Sequence, residues 1–182
     1  MIAPMKAQPE WSHPFNVENL GNKIIEVTIR ANAEERARLV KRLDLTALDK
    51  LEAVFTLGRQ AEEVIQVSGK ISAGIKQICV VTLEEFPAQL EENFSARFAP
   101  AGSEIVRANH LREEGDGTHE DDIEPYEFGK IDLGEIATQY LALAIDPYPH
   151  KPGIEGGGLV YGAAEDKKNP FAGLAGLYPK KN

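Results

Sequence analysis

The sequence predicts an α+β fold: an antiparallel β-sheet or meander covered by two amphipathic helices, followed by a flexible Gly-rich C-terminal tail. Three observations carry this prediction. Apolar and polar residues alternate over several runs between residues 22 and 98, the period of half-buried strands. The period switches to helical spacing at 32–43 and again at 132–145. Gly and polar residues then dominate 151–168.

The elements follow in order. In 22–31, Ile25, Val27 and Ile29 oppose Glu26, Thr28 and Arg30, as in a strand with one buried face. At 32–43 Asn32 and Glu35 have the spacing of a capping box, and Ala33, Ala37, Val40 and Leu43 are expected on one helix face. Leu51, Ala53, Phe55 and Leu57 then share a strand face that Gly58 ends. A further strand begins at Val64–Val67, and another follows Gly69 over 71–82. In that run Ile78 and Val80 break the alternation, which predicts burial on both sides. Phe86, Ala88, Leu90, Phe94, Ala96 and Phe98 give the clearest alternation, with Glu92 the exception. Runs 71–82 and 86–98 are expected to pair as a long hairpin around Leu83–Glu85, with Pro87 near the turn or on an edge.

Residues 99–125 read as a mobile acidic loop. From 113 to 127, Glu113, Glu114, Asp116, Glu120, Asp121, Asp122, Glu124 and Glu127 follow one another without Lys or Arg between them. Regular structure resumes with a helix capped by Asp132, with Glu135 at its third position and a stripe of Leu133, Ile136, Ala137, Tyr140, Leu141 and Ala144. Pro147 and Pro149 end it. A single domain over 12–150 and a tail over 151–182 result. In the tail, Asn169-Pro170 opens a short amphipathic element at 170–177, too short to be stable without docking.

The 182 residues suffice for a core without disulfide or metal, and Cys79 is the only cysteine. A structural zinc site of four Cys, or of two Cys and two His, is impossible within one chain. No apolar stretch reaches the length of a signal peptide or a membrane span, so a soluble, cytoplasmic protein is expected. The net charge of −9 argues against broad electrostatic binding to nucleic acid and suits a basic partner.

No constellation assembles an active site. His119, Glu120, Asp121 and Asp122, with His110 nearby, offer metal ligands but match neither EF-hand nor HExxH spacing. A solvated charge run explains them more simply. Cys79, between Ile78 and Val80, is expected in an apolar strand as an inert core thiol. Gly153 and Gly156–Gly158 lack the phosphate-loop pattern and read as linker. Arg36, Arg38, Lys41 and Arg42, with Arg30, offer a possible RNA contact on the helix 32–43, although a solvated helix face is the better explanation of them. Trp11 is expected to pack on the sheet.

Three stretches resemble the YceD-like large ribosomal RNA subunit accumulation proteins. EPYEFGKIDLGEIATQYLALAIDPYPH (124–150) resembles the family's acidic approach, Asp-Leu helix start and Leu-Ala-Leu-x-x-x-Pro end. KKNPFAGLAGLYPKK (167–181) resembles its C-terminal Asn-Pro-Phe-Ala signature, and 68–98 its central hairpin. The resemblance covers the chain from about residue 15. It implies a role in large-subunit ribosomal RNA accumulation and no catalytic residues, and no cofactor or metal is expected in this chain. Many members carry C-x-x-C in the hairpin, whereas this chain has Cys79-Val80-Val81-Thr82 and only His150 near the helix end.

On this resemblance Phe128, Asp132, Pro147, Asn169, Pro170 and Phe171 are the expected partner contacts. The acidic loop and the docked tail are expected to hold a basic ribosomal protein or a large-subunit assembly intermediate, with direct contact to ribosomal RNA through helix 32–43 as the alternative. A small-molecule-binding protein or enzyme of unknown type is the third reading.

Overall fold

The computed structural model describes residues 9–61, 63–113 and 123–154, and for 109–113 the backbone alone. Its order is β1 (Pro14–Asn16), a 3-10 turn (Val17–Leu20), β2 (Ile25–Arg30), α1 (Ala33–Arg42), β3 (Ala47–Arg59), β4 (Ile65–Ile78), β5 (Glu85–Pro100), α2 (Glu104–Glu113), β6 (Ile123–Tyr126), β7 (Lys130–Asp132) and α3 (Leu133–Ala144). A five-stranded sheet runs β2-β3-β4-β5-β6, and β1 pairs with β7 separately. The class is α+β as expected, and β2 through β5 form an antiparallel meander.

The alternation read from sequence sets the buried face. Leu51, Ala53, Phe55 and Leu57 of β3 lie beside Ile65, Val67, Ile71, Ala73 and Ile75 of β4, all buried. Leu39 of α1 and Leu133, Ile136, Ala137 and Leu141 of α3 close the core over that face. Phe94 of β5 links sheet and helix, with its ring 5.2 Å from Phe55 edge-on and 4.7 Å from Tyr140 in a stacked pair. Trp11 is buried in the same cluster, as expected.

Several expectations need correction. Gly69 does not separate two strands: β4 runs unbroken from Ile65 to Ile78. A side chain at 69 would collide with the Val54 carbonyl and with the Phe94 ring, 2.8 Å away. The glycine is there for close approach rather than for a turn. On α1 the apolar face is Leu39, Val40 and Leu43, because the helix turns Ala33 and Ala37 to solvent.

The stretch 99–125 is not simply a loop. It contains α2, whose Val106 is buried, and β6, which returns parallel to β5 with Arg97 opposite Ile123 and Pro100 opposite Tyr126. The protein therefore has a third helix, and its sheet is mixed at one edge. Residues 114–122, including His119 and part of the acidic run, lie outside the described residues. So do the Gly-rich tail beyond Ile154 and the expected element at 170–177.

Candidate functional site

The hairpin joining β6 and β7 turns on Phe128-Gly129. Both have positive φ, 54° and 65°, and Lys130 N–H closes the turn on the Glu127 carbonyl at 3.1 Å. This is the two-residue turn whose twist suits a hairpin and which favours Asn-Gly, because a β-carbon is strained in left-handed backbone. Phenylalanine at its first position is 94% exposed. The turn is fastened from below, where Val17 N–H donates to the Gly129 carbonyl at 2.9 Å. A rigid support thus holds a large apolar ring in water, with Glu127 beside it.

Asp132 ends the same hairpin and locks three segments together. Its carboxylate caps α3 by accepting from Gly134 and Glu135 N–H at 3.0 and 3.3 Å. It also accepts from His13 N–H at 2.8 Å and from the Ser12 hydroxyl. Its oxygens are engaged within the chain, where they tie the segment before β1 to the start of α3. Pro147 follows the opposite end of α3. Twelve helical residues, about 18 Å of rise, separate it from Asp132. Asn169, Pro170 and Phe171 lie outside the described residues.

The basic residues of α1 are largely committed internally. Arg36 donates to the Ala31 carbonyl at 2.7 Å and Arg38 to the Glu10 carbonyl at 3.0 Å. Arg42 grips Glu135 with two hydrogen bonds of 2.7 and 2.8 Å and reaches Glu10 at 2.8 Å. The hydrogen bond from Arg42 holds the Glu10 carboxyl below its usual range, and the acids in turn raise Arg42. Lys41 points to solvent.

Cys79 is buried, but β4 ends at Ile78 and the thiol sits in the turn rather than in a strand. The backbone N–H of Lys151, the hydroxyl and N–H of Thr82 and the N–H of Val81 face its sulfur. Together they lower the thiol to about 6 against the opposing effect of burial. Thr82, where the family pattern has its second cysteine, therefore supplies a donor hydroxyl and not a second thiolate. Among the described residues no cluster of three or more His, Cys, Asp or Glu could hold a metal ion.

Around this turn the expectation of burial fails. Ile78, Val80, Val81 and Leu83 are all exposed, as is Tyr148 beyond α3. Val80 N–H donates to the Pro149 carbonyl at 3.0 Å, Gln77 reaches the Asp146 carbonyl at 3.2 Å, and Lys151 meets Glu84 at 2.8 Å. The hairpin tip and the segment 146–151 consequently form one surface. The sequence signal was present in the consecutive Val80-Val81, which alternation cannot place on one face.

No described helix is long and apolar enough to cross a membrane. Searches of curated proteins and of solved structures give no match. The family model for the large ribosomal RNA subunit accumulation protein YceD matches residues 67–178, which span β4, β5, α3 and the C-terminal Asn-Pro-Phe segment. That is more than half of the sequence, and the chain belongs to the YceD family.

Proposed function

We propose that the protein is a non-catalytic factor in large ribosomal subunit biogenesis. It promotes accumulation of large-subunit ribosomal RNA by holding a basic ribosomal protein, or an assembly intermediate that displays one. Phe128 carries this reading. Left-handed backbone at a non-Gly residue costs about 1–2 kcal/mol, and an exposed aromatic ring returns none of it in the isolated fold. Such a residue makes sense as an anchor whose burial occurs on a partner.

The electrostatics favour a basic protein over bare RNA. The net charge is −9, and the acidic run flanks the Phe128 hairpin in sequence. The competing RNA surface on α1 is weakened because Arg36, Arg38 and Arg42 already hold other parts of the chain. The family assignment supports the process, and the exposed ring supports Phe128 as the contact.

The test compares wild-type protein with Phe128→Ala and Phe128→Asn in pull-downs from growing cells, after nuclease treatment. Recovery of an identified basic ribosomal protein that both variants lose supports the reading. Recovery of large-subunit RNA that vanishes with nuclease and is untouched by the variants overturns it in favour of direct RNA binding. In cells, either variant is expected to lower large-subunit ribosomal RNA relative to small-subunit RNA.

A further inference from the structure

The apolar tip of the β4–β5 hairpin has no cover among the described residues. Ile78, Val80, Val81, Leu83 and Tyr148 range from 44% to 78% exposed. Leu83 is again a large apolar residue in left-handed backbone, with φ 59°. The surface is firmly built. Cys79 and Glu84 are joined by a 2.9 Å backbone bond, Leu83 N–H donates to the Cys79 carbonyl at 2.9 Å, and three contacts tie the tip to 146–151. Contiguous exposed apolar side chains on a rigid base are the mark of a docking surface.

We propose that this tip is the docking site for the chain's own segment Asn169–Tyr178. The first argument is where the described chain ends. Lys151 is fixed to Glu84 at the tip, and Ile154 N–H turns back onto the Lys151 carbonyl at 3.0 Å. The remaining sequence departs from the surface it would cover. The second is reach. The stretch 155–168 is rich in Gly, and a chain of that length spans roughly 20 Å by r.m.s. end-to-end distance, enough to fold back on the patch. Such a tether gives an effective concentration on the order of millimolar, so a weak apolar contact suffices.

The third argument is pattern. Phe171, Leu174, Leu177 and Tyr178 recur at helical spacing on one side of a segment too short to be stable alone. The family match also starts on β4 and ends at Tyr178, so tip and segment fall within one matched span. This inference stands apart from the ribosomal role and requires no partner.

The experiment is hydrogen exchange on the full chain, reading peptides across residues 78–85, for wild type and for a Phe171→Ala/Leu174→Ala variant. Both substitutions lie in the tail, so the folded domain is preserved. The expected result is about tenfold faster exchange at the tip in the variant. A reciprocal variant, Val81→Asp/Leu83→Asn, is expected to speed trypsin cleavage after Lys167 and Lys168 by a similar factor. Unchanged exchange in the tail variant overturns the proposal. So does tip protection in wild type that disappears on dilution, which assigns the contact to a second copy. Protection that appears only on adding a purified basic ribosomal protein also overturns it. Loss of the ribosomal pull-down with the tip still protected tells against the proposed function alone.

Discussion

Arg42 in the last turn of α1 grips Glu135 in the first turn of α3 through two hydrogen bonds of 2.7 and 2.8 Å, and extends to Glu10. The two residues are 93 apart in sequence, so the pair joins distant helices, and the bond to Glu10 pins the N-terminal segment beside them. A fork of two parallel bonds needs a planar guanidinium, which lysine lacks. Arg42→Ala and Arg42→Lys are each expected to lower stability by about 1 kcal/mol, the upper range for a partly exposed pair. Urea denaturation measures it. Neither variant is expected to change RNA retention.

Gly69 lies where β3, β4 and the Phe94 ring meet. A methyl group there has no room without displacing backbone. Gly69→Ala is expected to destabilise by about 3 kcal/mol, and Gly69→Val to prevent folding, because overpacking at backbone cannot be relieved by a rotamer change. Thermal melts of purified variants, against Gly102→Ala in open space, provide the contrast.

Phe128 predicts a trade-off. Asparagine tolerates left-handed backbone and is the favoured partner of glycine in this turn. Phe128→Asn is expected to raise stability by about 0.5–1 kcal/mol while losing the partner. A melt and a pull-down on the same preparation test both halves. A fall in stability would show that the ring packs within the fold.

Cys79 makes stability depend on pH. Its folded thiol is lowered to about 6, whereas an unfolded thiol ionises near 8.5. Between these values the unfolded chain binds the extra proton, so stability rises with pH across that window. The contribution is complete above the unfolded value and is lost as pH falls through 6. Melting temperatures from pH 6 to 9 are expected to climb in wild type and to flatten in Cys79→Ser. Thiolate absorbance should titrate near 6.

What the sequence revealed was local. Asn32 with Glu35 and Asp132 with Glu135 sit within one turn of their helices, and both caps form as read. The β4–β5 pairing also follows from alternation, although Gly69 reads as a break because glycine marks turns more often than close contacts. α2 and β6 were missed for a different reason. Val106 is buried in α2, but Arg107 and Glu104 interrupt any stripe, and the Ser103 hydroxyl that accepts from Val106 N–H at 3.3 Å was the sole starting signal. β6 carries Glu124 and Pro125 and is a strand because β5 lies beside it, a partner no local pattern encodes. At the candidate site, the exposed Phe128 was singled out from motif position. Its backbone strain and the open hairpin tip emerge only from the folded register.

The brevity of β6 has a consequence for colloidal behaviour. It pairs with β5 only from Arg97 to Pro100, so the outer hydrogen-bonding edge of β5 from Glu85 to Phe94 has no neighbouring strand among the described residues. Such an edge invites another chain to add itself and propagate. Pro87 lacks a donor, and Glu92 stands exposed on the strand, whereas Glu85 and Glu91 pair with Lys76 and Lys70 of β4. A missing donor at Pro87 and a charge at Glu92 thus act as a guard against fibre growth, a duty distinct from recognising any partner.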